Sequence, residues 1–176
     1  MSVHHVRAPA SPDWGPGGLL SFPSGSVLDV FFLRAGRRRV DTRQIRIVFG
    51  AQVLEREAKI LDAAALANWA RARHSVYVVR LRPEVLELKK FAKNNPPQTP
   101  GQERCLYVGL TGVSPEERLE NHLKDHKASR YVRDYGLALE QSLFEHLNPL
   151  PYSVGQLMEE ELARHLQSLG YAVWQN

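Results

Sequence analysis

Five side chains, taken in chain order, carry the groups that hydrolysis of a phosphodiester needs: Tyr77, Tyr107, Arg118, His122 and Glu159. The two tyrosines stand in short β-type runs, Ser75-Val76-Tyr77-Val78-Val79 and Cys105-Leu106-Tyr107-Val108-Gly109. A phenol can orient or deprotonate water, a guanidinium can grip a phosphate through two parallel donors, and a carboxylate can hold a divalent metal. Arg118 and His122 are four residues apart, so one helix presents both on the same face. A tyrosine of ordinary pKa, near ~10, is a poor base at neutral pH, so a site that uses one has to lower that value.

These side chains need strands and helices to place them. Ser75–Leu81 and Arg104–Leu110 read as strands, and Ser114-Pro115-Glu116-Glu117 opens a helix with a capping serine, proline at N1 and glutamate at N3, expected to run to Lys127. Leu137–Leu147 is expected as a third strand, Asn148-Pro149-Leu150-Pro151 as a turn, and a last helix as capped by Ser153 and Gln156 and stopped by Gly170. On that helix Met158, Leu162, Leu166 and Leu169 form one arc at about 100° per residue. Glu159 then borders the packed face, Glu160 points away from it and Glu161 lies near a right angle, which singles out Glu159 for a metal in a cleft. Between the tyrosine strands, Pro83–Lys93 predicts a short helix and residues 94–101 a loop. His122 and His126 have a zinc-compatible spacing, but no third ligand stands at a diagnostic distance.

The charge is unevenly spread. The chain carries a net +4 at pI 9.4. Residues 1–73 hold 11 Lys and Arg against 6 Asp and Glu, a balance of +5, and residues 74–176 hold 12 against 13, a balance of −1. The excess follows a leader, residues 1–26, whose four prolines and four glycines predict irregular structure. Val27–Leu33 and Gln44–Phe49 predict strands about a turn at Gly36, with Arg34, Arg37, Arg38, Arg39, Arg43 and Arg46 as either a ribbon against a phosphate backbone or a solvated hairpin. Gln52–Arg73 predicts a helix. Past His122, Lys124, Lys127, Arg130, Tyr131, Arg133 and Tyr135 interleave cations with rings, a pattern suited to nucleic acid and equally to a solvated loop with two anchoring tyrosines. A lone Cys105 in an apolar run excludes a disulfide framework and reads as a small buried hydrophobe. No apolar run is long enough to span a membrane and no secretory leader opens the chain, so a soluble cytoplasmic protein is expected.

In their order and element types these residues resemble the GIY-YIG nuclease superfamily. Ser75-Val76-Tyr77 is similar to its first motif and Tyr107-Val108-Gly109 to its second; Arg118, His122 and Glu159 follow, with Glu159-Glu160-Glu161-Leu162-Ala163 similar to the pattern around the metal glutamate. The likeness covers residues 74–174. Ser75 replaces a glycine, Leu110 stands where some members carry lysine, and 29 residues separate Tyr77 from Tyr107, a longer interval than the family's. The resemblance implies an α+β fold, a small antiparallel sheet flanked by helices over residues 74–176, with residues 1–73 as a basic N-terminal extension. It implies a metal-dependent endonuclease using Mg²⁺ or Mn²⁺ on Glu159, with DNA favoured over RNA. Arg118 would hold the phosphate, Tyr77 would act as base or water-positioner, Tyr107 would orient the phosphate, and His122 would replace Tyr77 if that residue is too buried. Gly109, Lys124, Lys127, Arg130, Arg133, Arg37, Arg38 and Arg39 are the expected nucleic-acid contacts. The rival reading is a non-catalytic nucleic-acid-binding module on the same fold.

Overall fold

The computed structural model describes residues 4–48, 52–124 and 128–175. Its contacts divide the α+β chain into two units, Met1–Ala72 with His146–Val154, and Arg73–Glu145 with Gly155–Asn176.

The first unit is an antiparallel sheet of β1 (His5–Arg7), β2 (Gly17–Ser24), β3 (Val27–Phe32), β4 (Gly36–Asp41) and β5 (Arg46–Val48), in the order β4-β3-β2-β1-β5, with α1 (Glu55–Leu66). The expected irregular leader is therefore two strands. Its glycines serve close packing: a Cβ on Gly17 would come within 2.7 Å of Phe32 and Val30, and one on Gly18 within 2.8 Å of the Leu61 carbonyl. Gly36 makes the β3–β4 turn at φ 69°, as its position predicts. The predicted helix over Gln52–Arg73 is shorter, because Asn68 caps a separate 3-10 turn, Trp69–Arg71, by accepting from the Ala70 amide. The strand that pairs with β3 across the Gly36 turn is β4, not the predicted Gln44–Phe49; of that run only Arg46–Val48 is a strand and it pairs with β1, while Phe49 lies outside the described residues.

The second unit holds β6 (Ser75–Leu81), β7 (Cys105–Thr111), β8 (Gly136–Leu139) and β9 (Ala172–Gln175), in the order β8-β6-β7-β9. β6 pairs antiparallel with β7 and β8, but β9 runs parallel to β7, so the sheet is mixed where an antiparallel one was expected. The intervening helices return the chain to enter β9 in the direction of β7. The helices are α2 (Lys89–Lys93), α3 (Pro115–Leu123), α4 (Arg130–Tyr135) and α5 (Tyr152–Ser168). The third strand is only Gly136–Leu139; 3-10 turns at Gln141–Leu143 and Glu145–Leu147 replace the rest. Pro83–Glu87 is likewise a 3-10 turn ahead of α2. α3 ends at Leu123, short of Lys127, and α5 begins at Tyr152, earlier than a cap at Ser153 allows. Leu169, expected in the core, is exposed beyond the end of α5. Among the described residues no helix is long and apolar enough to cross a membrane.

Candidate active site

The register of β6 and β7 builds the site. Tyr77 pairs with Gly109 and Val79 with Tyr107, so both tyrosines project from one face, their ring centroids 6.0 Å apart. The glycine is required by the phenol: a Cβ on Gly109 would lie 2.6 Å from the Tyr77 hydroxyl. Gly109 is thus buried against the Tyr77 phenol. Leu110 alternates to the other face and fits against Gly155, where a Cβ would meet it at 2.6 Å.

His122 of α3 packs over both rings, with centroids 6.1 Å from Tyr77 and 5.9 Å from Tyr107, and all three residues are buried. Its two nitrogens have different partners. The Ser129 amide donates to Nδ1 at 2.8 Å, and Nε2 lies 2.8 Å from the Tyr77 hydroxyl. An amide can only donate, so Nδ1 is an acceptor and the proton of the neutral imidazole is on Nε2, donating to Tyr77. Burial, helped by the nearby charge of Arg118, lowers the His122 pKa to about 4 and keeps that neutral form.

Burial also raises the Tyr77 pKa, opposed by the adjacent Arg118 guanidinium and Tyr107 hydroxyl and reinforced by Glu159. Tyr107 is raised further, first by burial and then by Tyr77, with the Ser129 side chain pulling the other way. Glu159 of α5 is half-buried and, among the described residues, has no hydrogen bond or ion pair; burial alone raises its pKa to about 7. Glu160 is exposed and bonds Arg164, as the helix face predicts. Glu161, near a right angle to the packed face, is nonetheless buried at 8 % exposure and accepts from the same arginine at 3.0 Å, so its charge already has a cation. The five residues, from two strands and two helices, thus converge, with Glu159 as a carboxylate that has no counter-charge among the described residues.

Among the described residues no group of three His, Cys, Asp or Glu could hold a metal. A metal here would depend on Glu159, water and substrate oxygens, a ligand set that suits Mg²⁺, which keeps several waters and takes one or two carboxylates. His126 and Lys127 lie outside the described residues. Cys105 is buried, and burial raises its thiol to about 11, in keeping with a packing role.

The expected nucleic-acid contacts divide. Arg37 is committed to the buried Asp29, donating from Nε to both carboxylate oxygens at 3.0 Å, and lies over the Trp69 ring. Arg38 donates to the Arg37 carbonyl at 3.3 Å, and Arg39 is exposed. Lys124 pairs with Glu120 and Arg133 with Asp134, while Arg130 is exposed at the start of α4. Ser129 was missed. Its place before a short helix is legible as a cap, but it makes no side-chain cap and turns its amide to His122 instead.

Comparison with protein-family models, with curated proteins and with solved structures finds no match.

Proposed function

We propose that the chain is a metal-dependent endonuclease, with DNA the favoured substrate, built on a GIY-YIG-like arrangement of its second unit. The observation that carries the reading is the junction of the Ser129–His122–Tyr77 hydrogen-bond chain with Arg118 and with Glu159, which has no counter-charge among the described residues. Arg118 binds the scissile phosphate and stabilises its added charge. Tyr77 orients the attacking water. Because burial raises its pKa, the Tyr77 phenol stays protonated at neutral pH, held by the His122 Nε2–H and Arg118, and it positions the water without taking its proton. With Nδ1 occupied by Ser129 and Nε2 protonated, His122 acts as a donor here and has no lone pair for the base role. Tyr107 orients the phosphate from the adjoining strand. A divalent ion on Glu159, Mg²⁺ or Mn²⁺, would supply charge stabilisation for the leaving oxygen.

The test is a cleavage panel of plasmid, linear, branched and single-stranded DNA and RNA with Mg²⁺, Mn²⁺ or chelator, for the wild type, Tyr77→Phe, Arg118→Ala, Arg118→Lys and Glu159→Gln. Metal-dependent cutting by the wild type is expected, with the first two variants and Glu159→Gln reduced by orders of magnitude. Arg118→Lys should recover part of the rate because it lacks the planar fork. Binding without cutting under every metal condition establishes the non-catalytic module instead.

A further inference from the structure

The chain between β6 and β7 is a packed lobe. Phe91 of α2 is buried against Tyr131 of α4 and Trp174 of β9, at centroid distances of 5.8 and 6.3 Å, and Tyr131 and Trp174 are 4.3 Å apart. Asn95 fastens the lobe to β9: its Oδ1 accepts from the Val173 amide at 2.6 Å and its Nδ2 donates to the Phe91 carbonyl at 2.9 Å. Gln98 adds a second tie, donating to the Gly170 carbonyl at 3.0 Å and accepting from the Arg104 amide at 3.2 Å.

This anchoring sets the lobe beside the candidate site. β9 pairs with β7 so that Trp174 is opposite Tyr107, on the face that carries Tyr77. Neighbouring strands are about 5 Å apart, which brings Lys90 within roughly 15 Å of the Tyr77 ring, or about four base steps of a duplex. Lys89, Lys90 and Lys93 are exposed on α2 and have no ion pair among the described residues. Lys90 holds its ammonium 5.1 Å from the Trp174 ring centre, and Trp174 and Tyr131 are both partly exposed. The other cations of the lobe are engaged: Arg82 bonds the Asp134 carbonyl and Arg104 stacks on Tyr171. Three exposed ammonium groups with no ion pair among the described residues, one of them over a partly exposed ring, are complementary to a phosphate backbone and the faces of its bases.

We propose that α2 and the Tyr131–Trp174 ring pair seat the nucleic-acid strand that flanks the scissile phosphate, with Lys89, Lys90 and Lys93 on its phosphates. This rests on the nuclease reading of the Tyr77 site. The experiment measures binding of the full chain to a duplex and to a single-stranded oligonucleotide as salt is varied, for the wild type, K89Q/K90M/K93Q, and a K59Q control on α1. Methionine at 90 keeps an unbranched stem on the Trp174 ring. The slope of log affinity against log salt should flatten by up to about 2.7 on duplex or about 2.1 on single strands in the triple variant. The control should retain the wild-type slope. If the triple variant fails to fold, K89Q/K93Q, which leaves Lys90 on its ring, carries the same test with up to about two-thirds of the effect. A wild-type protein that binds and cuts, with an unchanged slope in the folded variant, overturns this inference and leaves the nuclease reading standing. A wild-type protein that binds neither oligonucleotide at low salt overturns both.

Discussion

Replacing Glu159 by glutamine should stabilise the metal-free protein at alkaline pH, by an amount its burial sets. The carboxyl has a reference pKa of 4.5 and is raised to about 7 in the fold. Between these values the unfolded chain has released the proton and the folded chain retains it, so the group's contribution to stability falls as pH rises. At about 1.4 kcal/mol for each pH unit across the gap, and less where solvent screens the partly exposed carboxyl, the loss is complete above pH 7 at up to about 3 kcal/mol. His122 acts in the opposite sense. Its pKa falls from 6.5 to about 4 on folding. Its contribution is therefore intact above pH 6.5 and lost as the unfolded chain takes up a proton between pH 6.5 and 4. From pH 4.5 to 6.5 the two slopes nearly cancel in the wild type. Glu159→Gln removes one of them and exposes the other. The assay is unfolding by urea with chelator present, at half-unit steps from pH 4 to 8, read as variant minus wild type so that other titrating groups drop out. The difference should be near zero at pH 4 and climb with pH to a plateau of up to about 3 kcal/mol by pH 8, equivalent to at most roughly 6–12 °C in melting temperature. Mn²⁺ should narrow the gap by stabilising the wild type alone. A flat difference across this range, or one of opposite sign, would mean that Glu159 is neither desolvated nor without a counter-charge.

Three further substitutions probe the surroundings of Tyr77. Ser129 has φ −71° and ψ 126°, values proline accepts, so Ser129→Pro deletes the amide donor to His122 with little backbone change. It should free Nδ1, show mixed His122 tautomers in ¹⁵N NMR and slow cleavage at least tenfold, whereas Ser129→Ala keeps the amide and the tautomer; a single unchanged tautomer in the proline variant refutes the assignment. Gly109→Ala forces the Tyr77 phenol away from a Cβ that would stand 2.6 Å from its oxygen, and should cost about 1–3 kcal/mol in urea unfolding together with most activity. Wild-type values for both would show that the strand can yield there. Arg37→Ala strands the buried Asp29 carboxylate and should cost about 3 kcal/mol, while Arg39→Ala should change stability by less than about 0.5 kcal/mol; equal effects would remove the distinction between a structural and a surface arginine.

What was legible in the sequence is what depends on short-range periodicity. The alternation of Ser75–Leu81 and Cys105–Thr111 puts Tyr77, Tyr107 and Gly109 on one face whatever lies around them, and the four-residue step from Arg118 to His122 needs only a helix. What was illegible depends on pairing register and on groups that carry no side-chain signal. Gly17 and Gly18 look like breakers until Phe32 and Leu61 are known to press on them. Arg37 looks free until β3 and β4 are paired with Phe31 opposite it, which brings the side chain of Asp29, two residues away, within reach. Glu161 looks like its solvated neighbour, and only its burial beside Arg164 distinguishes it from Glu160.

The same reasoning explains why the Ser129 amide escapes detection. Any residue except proline supplies a backbone donor, so the tautomer of His122 is specified by where the chain turns after α3 and not by a recognisable residue type. A site of this kind has two layers of information. Phenol, guanidinium and carboxylate identities can be read from the chain, because the chemistry needs those groups. The protonation states that let them act are set by burial and by one main-chain N–H, which exist only once the fold has closed.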